Sequence, residues 1–242
     1  LGAQALLRGV NVVHYTLELS DTTIASRYDS CITGVSLNDL FSFKELIYEK
    51  VQEVKGQLIV KEYPTKSAST RTIKNHLEKL VNRGVEPGLI ILDYGDLLRP
   101  VTVRKEKRTE LESIYEEMRA VAQEFQCPVW TASQTNRSGL NAEVITMESI
   151  SEAFSKCFVA DLIFTVSRTM EDKTSNTGRM YVAKNRNGPD GLVYPLFMDT
   201  SNVKIRVLPP SDDEEDELTS KSQSDILKEK YKKFRSQQRE SA

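Results

Sequence analysis

Hydrophobic residues follow two spacings along the chain, and these predict strands and helices in turn. Four short runs of aliphatic and β-branched residues are typical of strands, at 10–18, 58–63, 88–93 and 128–134. Apolar residues at three- and four-residue steps predict helices at 1–8, 22–32, 43–54, 70–83 and 109–125. Such alternation favours an α/β fold, a mostly parallel sheet with helices on both faces.

The regular alternation ends in the last third of the chain. After a polar loop at 136–142, a predicted helix at 147–157 leads into a strand at 161–166. Three short strands then follow, separated by Gly, Asn, Pro and Asp turns, at 180–184, 192–197 and 203–207. This pattern indicates an antiparallel C-terminal extension of the sheet.

Composition divides the 242 residues into a main domain, 1–208, and a tail, 209–242. The tail opens with six acidic residues at 212–217 and continues as a Lys/Gln/Ser-rich segment with helical spacing of apolar residues. The whole chain carries 33 Lys and Arg against 35 Asp and Glu. A net charge of −2 gives no overall attraction to nucleic acid, so any such contact must use local patches.

Cysteine usage and hydropathy exclude several classes of protein. Cys31, Cys127 and Cys157 form no C-x-x-C pair and have no metal-spaced histidine, which indicates packing thiols in a reducing compartment. No apolar run approaches the ~18 residues that span a bilayer, so we expect a soluble protein. The chain begins without Met inside a predicted helix, which suggests that residues upstream of Leu1 are missing.

Polar side chains follow the apolar strands at the points where ligands bind in doubly wound sheets. They are Glu18, Asp93, Gln134, Lys184 and Arg186. Together they offer a base, a carboxylate for Mg²⁺, an amide and two cations, the set that a nucleoside triphosphatase needs. Taken singly, the two carboxylates and Gln134 are more typical of helix caps or solvated turns, and a solvated strand edge explains Lys184 and Arg186 about as well as catalysis does. Only their joint order favours catalysis.

That joint order resembles the successive motifs of DnaB-type hexameric replicative DNA helicases, a RecA-like group that includes phage primase–helicase partners. The matching segments are residues 15–20, 89–98, 128–137 and 183–191, and the similarity covers roughly residues 1–207. The last segment contains Lys184-Asn-Arg-Asn-Gly-Pro189, a motif that ordinary RecA-like recombinases do not share.

The resemblance implies a role for each strand-end residue in a ring that uses ATP and Mg²⁺. Glu18 would polarise the attacking water, and Asp93 would be the Walker B carboxylate near Mg²⁺. Gln134 would sense the γ-phosphate. Lys184 and Arg186 would reach the nucleotide of the neighbouring subunit, with Arg186 as an arginine finger.

Two features depart from the family pattern. No G-x-x-x-x-G-K-[ST] phosphate loop occurs, and since the family places it just before the helix at 1–8, we expect truncation. The fragment alone should therefore be inactive. The Arg-Glu-Ser-Gly of many family members stands here as Ser151-Glu-Ala-Phe154, without its phosphate-contacting Arg.

Basic residues in two loops are candidates for phosphate contacts to a single strand. Those after the strand at 88–93 are Arg99, Arg104, Lys105, Lys107 and Arg108, and Arg137 follows Gln134. A solvated charged loop explains any one of them almost as well. In a hexamer, a central channel would focus six such patches on one strand.

Three functions compete. The first is a replicative helicase motor in a homo-hexamer on single-stranded DNA, with primase and a possible loader as partners, in the cytoplasm, or the host cytoplasm if viral. A mitochondrial location stays open. The second is a RecA-like recombinase or clock-type ATPase, and the third is a non-catalytic interaction module whose acidic tail recruits partners.

Overall fold

A computed structural model describes residues 1–135, 144–147 and 155–209. These residues fall into two compact units, each built around its own four-stranded sheet. The predicted loop at 136–142, most of the predicted helix at 147–157 and the tail from 210 lie outside the described residues.

The first unit alternates strands and helices. Its elements are α1 (Gly2–Leu7), β1 (Val12–Thr16), α2 (Asp21–Thr33), α3 (Lys44–Gln52), β2 (Leu58–Glu62), α4 (Thr70–Val81), β3 (Leu89–Asp93), α5 (Lys107–Glu124), β4 (Val129–Thr131) and α6 (Ser155–Val159). Short 3-10 turns cover Leu40–Phe43 and Gly95–Leu97. The four strands are parallel in the order β2-β1-β3-β4, as the sequence predicts.

Strand β1 is buried along its whole length because helices cover both faces of the sheet. Val13 and Tyr15 pack in a core with Ile73 and Leu77 of α4. Val12, on the opposite face, packs in a second core with residues of α1 and α2. Successive residues of a strand point to opposite faces, so one apolar run serves both cores.

Strands β1 and β4 end earlier than predicted, whereas β3 ends at Asp93 as predicted. The Thr16 hydroxyl donates to the carbonyl of Leu19 at 2.7 Å and accepts from its amide at 3.1 Å. This local turn ends β1 at Thr16 and leaves Glu18 in the following loop. Strand β4 likewise ends at Thr131, so Gln134 lies three residues beyond it.

The second unit is built on an antiparallel sheet, which confirms the predicted antiparallel extension. Its elements are β5 (Leu162–Ser167), α7 (Met170–Ser175), β6 (Thr177–Asn185), β7 (Val193–Asp199) and β8 (Lys204–Val207), with strand order β5-β6-β7-β8. The strands form a sheet of their own, starting with β5, rather than added strands of the parallel sheet.

Helix α7 was not predicted from the periodicity. Its short length hides the pattern, but a capping box starts it, with Thr169 and Asp172 bonding to each other's backbone amides. Asp172 also accepts hydrogen bonds from Thr177 and Arg179. These bonds, with the Thr169 backbone bond foremost, hold the pKa of Asp172 well below its usual range.

No helix among residues 1–135, 144–147 and 155–209 is long and apolar enough to cross a membrane.

Replacing Ile90 by Ala should destabilise the protein by about 2–5 kcal/mol, because Ile90 is fully buried in β3 and the change leaves a cavity. Urea unfolding followed by the fluorescence of Trp130, the sole tryptophan, measures it. Ile205→Ala on β8 is the matched control, since that side chain is 59% exposed. Equal losses in the two variants would contradict the placement of the core.

Candidate functional site

Two carboxylates come together at the edge of the parallel sheet where β1 and β3 end. Thr16 lies beside Asp93 in the strand register, and the amide of Leu17 donates to the Asp93 carbonyl at 2.9 Å. Glu18 is the next residue. Burial raises the pKa of Asp93, and the charge of Glu18 raises it further, whereas the guanidinium of Arg27 opposes the shift.

This pair of carboxylates suits a divalent cation. The negative charge of Glu18 disfavours ionisation of Asp93, and a bound cation would offset that repulsion. Among the residues that the structure describes, no three His, Cys, Asp or Glu side chains form a closed metal cage. Mg²⁺ fits this arrangement, because it takes one or two carboxylates and fills its other positions with water and phosphate oxygens.

Gln134 is linked to the loop that follows Asp93. Its side-chain amide donates to the hydroxyl of Tyr94 at 2.9 Å, and the rest of the Gln134 side chain is exposed. One residue further, the amide of Gly95 donates to Oγ1 of Thr131 at 2.8 Å. A Cβ at Gly95 would lie 3.3 Å from that same oxygen. The loops after β3 and β4 are therefore closely packed. Gln134 contacts Tyr94, the residue that follows Asp93.

Lys184 and Arg186 belong to the second unit. Lys184 is near the end of β6, and Arg186 directly follows that strand. Arg186 donates from Nη1 to Oδ1 of Asp161 at 2.6 Å, and its backbone amide bonds to the Asp161 carbonyl at 2.8 Å. Both side chains of this pair are about half exposed. The approach of the two cations to a nucleotide stays a prediction.

The basic residues after β3 are all exposed: Arg99, Arg104, Lys105, Lys107 and Arg108. Their predicted position needs one correction. Lys107 and Arg108 form the first turn of α5 instead of the loop, because the helix begins two residues before the predicted start. Arg137 lies outside the described residues.

Sequence reasoning missed three residues around Asp93. Arg27 is the only basic residue of α2, Tyr94 directly follows Asp93, and Lys156 is the single charge in the short helix α6. For Arg27 and Lys156, the available signal was that each is the sole basic residue of its helix. It carries weight only when the opposite charge that faces it is known, and that requires the tertiary structure.

Residues 3–203 match the family described as the DnaB-like helicase C terminal domain. A DnaB-like replicative helicase of Enterobacteria phage T4 is 31% identical over 183 residues, which cover 71% of this chain and 38% of that protein. The replicative DNA helicase DnaB of Mycoplasma genitalium is 26% identical over 222 residues, covering 84% of this chain and 47% of that protein. The chain thus spans less than half the length of these relatives.

Solved structures share the fold. A DnaB-like replicative helicase, solved in a study of its interactions with primase, superposes with a TM-score of 0.73 at 15% identity. The match covers 86% of this chain and 54% of that one. A RadB recombinase superposes with a TM-score of 0.53 at 14% identity, over 85% of this chain and 82% of that one. The predicted RecA-like α/β fold is confirmed.

The pKa of Asp93 provides a test of the carboxylate pair. Glu18→Gln removes the like charge and should lower the Asp93 pKa, while Arg27→Gln removes the opposing cation and should raise it. A carboxyl group whose pKa is raised by folding destabilises the folded state at pH values above that pKa. The lower Asp93 pKa in Glu18→Gln should therefore increase the free energy of unfolding at neutral pH relative to acid pH. Carboxyl ¹³C NMR titration of residues 1–242 measures both shifts. Shifts of the same sign would contradict the arrangement.

Proposed function

Because the chain belongs to the family of DnaB-like helicase C-terminal domains, we propose that it is the motor of a replicative DNA helicase. In this proposal, ATP hydrolysis drives translocation on single-stranded DNA and unwinding of the duplex. The observation that carries it is the pair of carboxylates, Glu18 and Asp93, at one sheet edge beside the loop that Gln134 contacts. Since the chain spans under half of its curated relatives, the activity of the whole protein is part of the proposal.

Asp93 and Glu18 divide the chemistry between them. Bound Mg²⁺ would neutralise charge on the β- and γ-phosphates. Asp93, which is partly buried at the end of β3, would hold it. Glu18 is exposed on the loop after β1, where it can accept a proton from the attacking water. Burial of one carboxylate and exposure of the other support these different roles.

Gln134 would report the state of the γ-phosphate. Its amide already donates to Tyr94, the residue after Asp93, so loss or gain of a phosphate partner would change this contact. The same loop leads toward Arg137, a proposed DNA contact. The exposed Arg99, Arg104 and Lys105 are proposed to bind the phosphate backbone in the centre of a homo-hexameric ring.

Lys184 and Arg186 are proposed to act on the nucleotide of a neighbouring subunit. The turn that carries them is held by Asn185, whose side-chain amide donates to the Pro189 carbonyl at 3.2 Å. Asp161 orients the Arg186 guanidinium at the surface. A fixed turn with an exposed guanidinium is what a finger that acts across an interface requires.

Four further parts of the proposal concern the phosphate-binding loop, the tail, the protein partners and the cellular location. The phosphate-binding loop would be encoded upstream of Leu1, and the tail at 209–242 would act as a linker and partner-binding segment. Primase would be a protein partner, and a helicase loader is a second candidate. The helicase would act in the cytoplasm, or in the host cytoplasm if the protein is viral.

Residues 1–242 alone should not hydrolyse ATP, because they contain no phosphate-binding loop. Extended by the residues encoded upstream, the protein should hydrolyse ATP, and Glu18→Gln should lower kcat by roughly 10²–10⁴ while nucleotide binding persists. Steady-state ATPase assays and binding of a fluorescent nucleotide measure the two effects. Asp93-dependent hydrolysis by residues 1–242 would refute truncation, and loss of nucleotide binding in Glu18→Gln would indicate a structural role.

Mixed rings test whether Arg186 acts across the interface. Arg186→Ala and Glu18→Gln subunits of the extended protein should each be inactive, since a finger is worth about 10³–10⁵ in rate. Co-assembled, they should regain part of the ATPase rate, because some interfaces then combine an intact Glu18 with an intact Arg186. If mixed rings of verified composition stay inactive, Arg186 acts within its own subunit or only through Asp161.

A further inference from the structure

A buried ion pair lies behind the turn that follows Asp93. The ammonium of Lys156, only 2% exposed, is 2.8 Å from Oδ2 of Asp96. Oδ1 of the same carboxylate accepts a hydrogen bond of 2.8 Å from the hydroxyl of Tyr115. Lys156 also lies 5.6 Å from the centroid of the Tyr115 ring. Side chains from α6, the 3-10 turn and α5 thus form one closed cluster.

The charges of this cluster are costly to bury. Removing an ammonium from water has a large free-energy cost, which its partners must offset. Apolar residues of equal volume often stabilise a core at least as much as a buried ion pair does. Burial and the Asp96 carboxylate raise the pKa of Tyr115, so its hydroxyl stays protonated and donates. Stability alone therefore does not account for an ion pair at this place, whereas fixed orientation of Asp96 does.

The turn that carries Asp96 is held from other sides as well. Lys66 donates from Nζ to the carbonyls of Asp96 and Leu98, at 2.8 Å each. The Gly95 amide is bound by Thr131. These contacts hold the backbone, and Lys156 holds the one charged side chain of the turn. Asp93 lies three residues before Asp96, at the point where β3 leads into this turn.

We propose that Lys156 is a positioning residue, which fixes Asp96 and thereby the turn that sets the place of the Asp93 carboxylate. The inference rests on the proposed function of Asp93. Lys156 is buried and acts through the turn, without contact to nucleotide. A displacement of about 1 Å at a reacting group can lower a rate ~10²-fold, so a shift of this turn should be visible in kcat.

The test variant is Lys156→Met, which keeps the length of the side chain and removes its charge. In the protein extended upstream of Leu1, kcat for ATP should fall roughly 10- to 100-fold, with KM within about twofold. In residues 1–242, amide hydrogen exchange should become faster at 94–98. Lys74→Met is the matched control, because Lys74 pairs with Glu124 on the surface, at 2.7 Å, and is not part of the cluster. It should change neither measurement.

The outcomes distinguish failure of the proposed helicase function from failure of the proposed role of Lys156. If the extended wild-type protein lacks ATPase, the proposed function fails, and the exchange rates in residues 1–242 still show whether Lys156 holds the turn. If Lys156→Met lowers the melting temperature but leaves kcat and exchange at 94–98 unchanged, Lys156 is only structural and the inference is overturned. Should Lys156→Met not fold, the double variant with Asp96→Asn carries neither charge and is expected to fold with the same low kcat. A wild-type kcat there overturns the inference too.

Discussion

The register between β1 and β3 is the constraint on which the candidate site depends. Thr16 pairs with Asp93, and the backbone bond from Leu17 to Asp93 continues that pairing past the end of β1. A shift of one residue would turn every side chain of a strand to the opposite face. Since β1 is buried on both faces, a shift of one residue would exchange its side chains between the two differently shaped cores and would move Glu18 away from Asp93. The same packing that stabilises the sheet therefore brings the two carboxylates together.

Most of the fold could be predicted from sequence because its signals are local. Ser20 and Ser69 accept the capping hydrogen bonds at the starts of α2 and α4, and Gly34 ends α2 in the left-handed conformation. These residue types are themselves local signals of helix ends. The strand ends could not, because they depend on single hydrogen bonds such as that of Thr16 to Leu19. Helix α7 escaped detection since six residues are too few for a periodicity to develop.

The residues of the candidate site at the sheet edge could be predicted from sequence, whereas the buried contacts near them could not. Glu18 and Asp93 follow apolar strands, and parallel strands bring such residues to one edge. Lys156 gave no comparable signal, because a lysine in a helix is ordinarily solvated. Lys156 can be buried because its ammonium pairs with Asp96 and lies near the ring of Tyr115, residues 60 and 41 positions earlier in the chain. Sequence patterns identify groups that perform chemistry more readily than those that orient them.

The ion pairs of Lys156 and Arg186 differ in burial, and the difference matches the different roles proposed for the two residues. The pair of Lys156 with Asp96 is buried, and breaking it leaves a charge without a partner, at a cost of about 3–5 kcal/mol. The pair of Arg186 with Asp161 is about half exposed, and such pairs contribute about 1 kcal/mol or less. A group that must stay in place is held by the first kind of contact. In the proposed role, the Arg186 guanidinium would exchange its carboxylate for a phosphate, and the second kind of contact suits that role because the guanidinium can leave Asp161 at small cost.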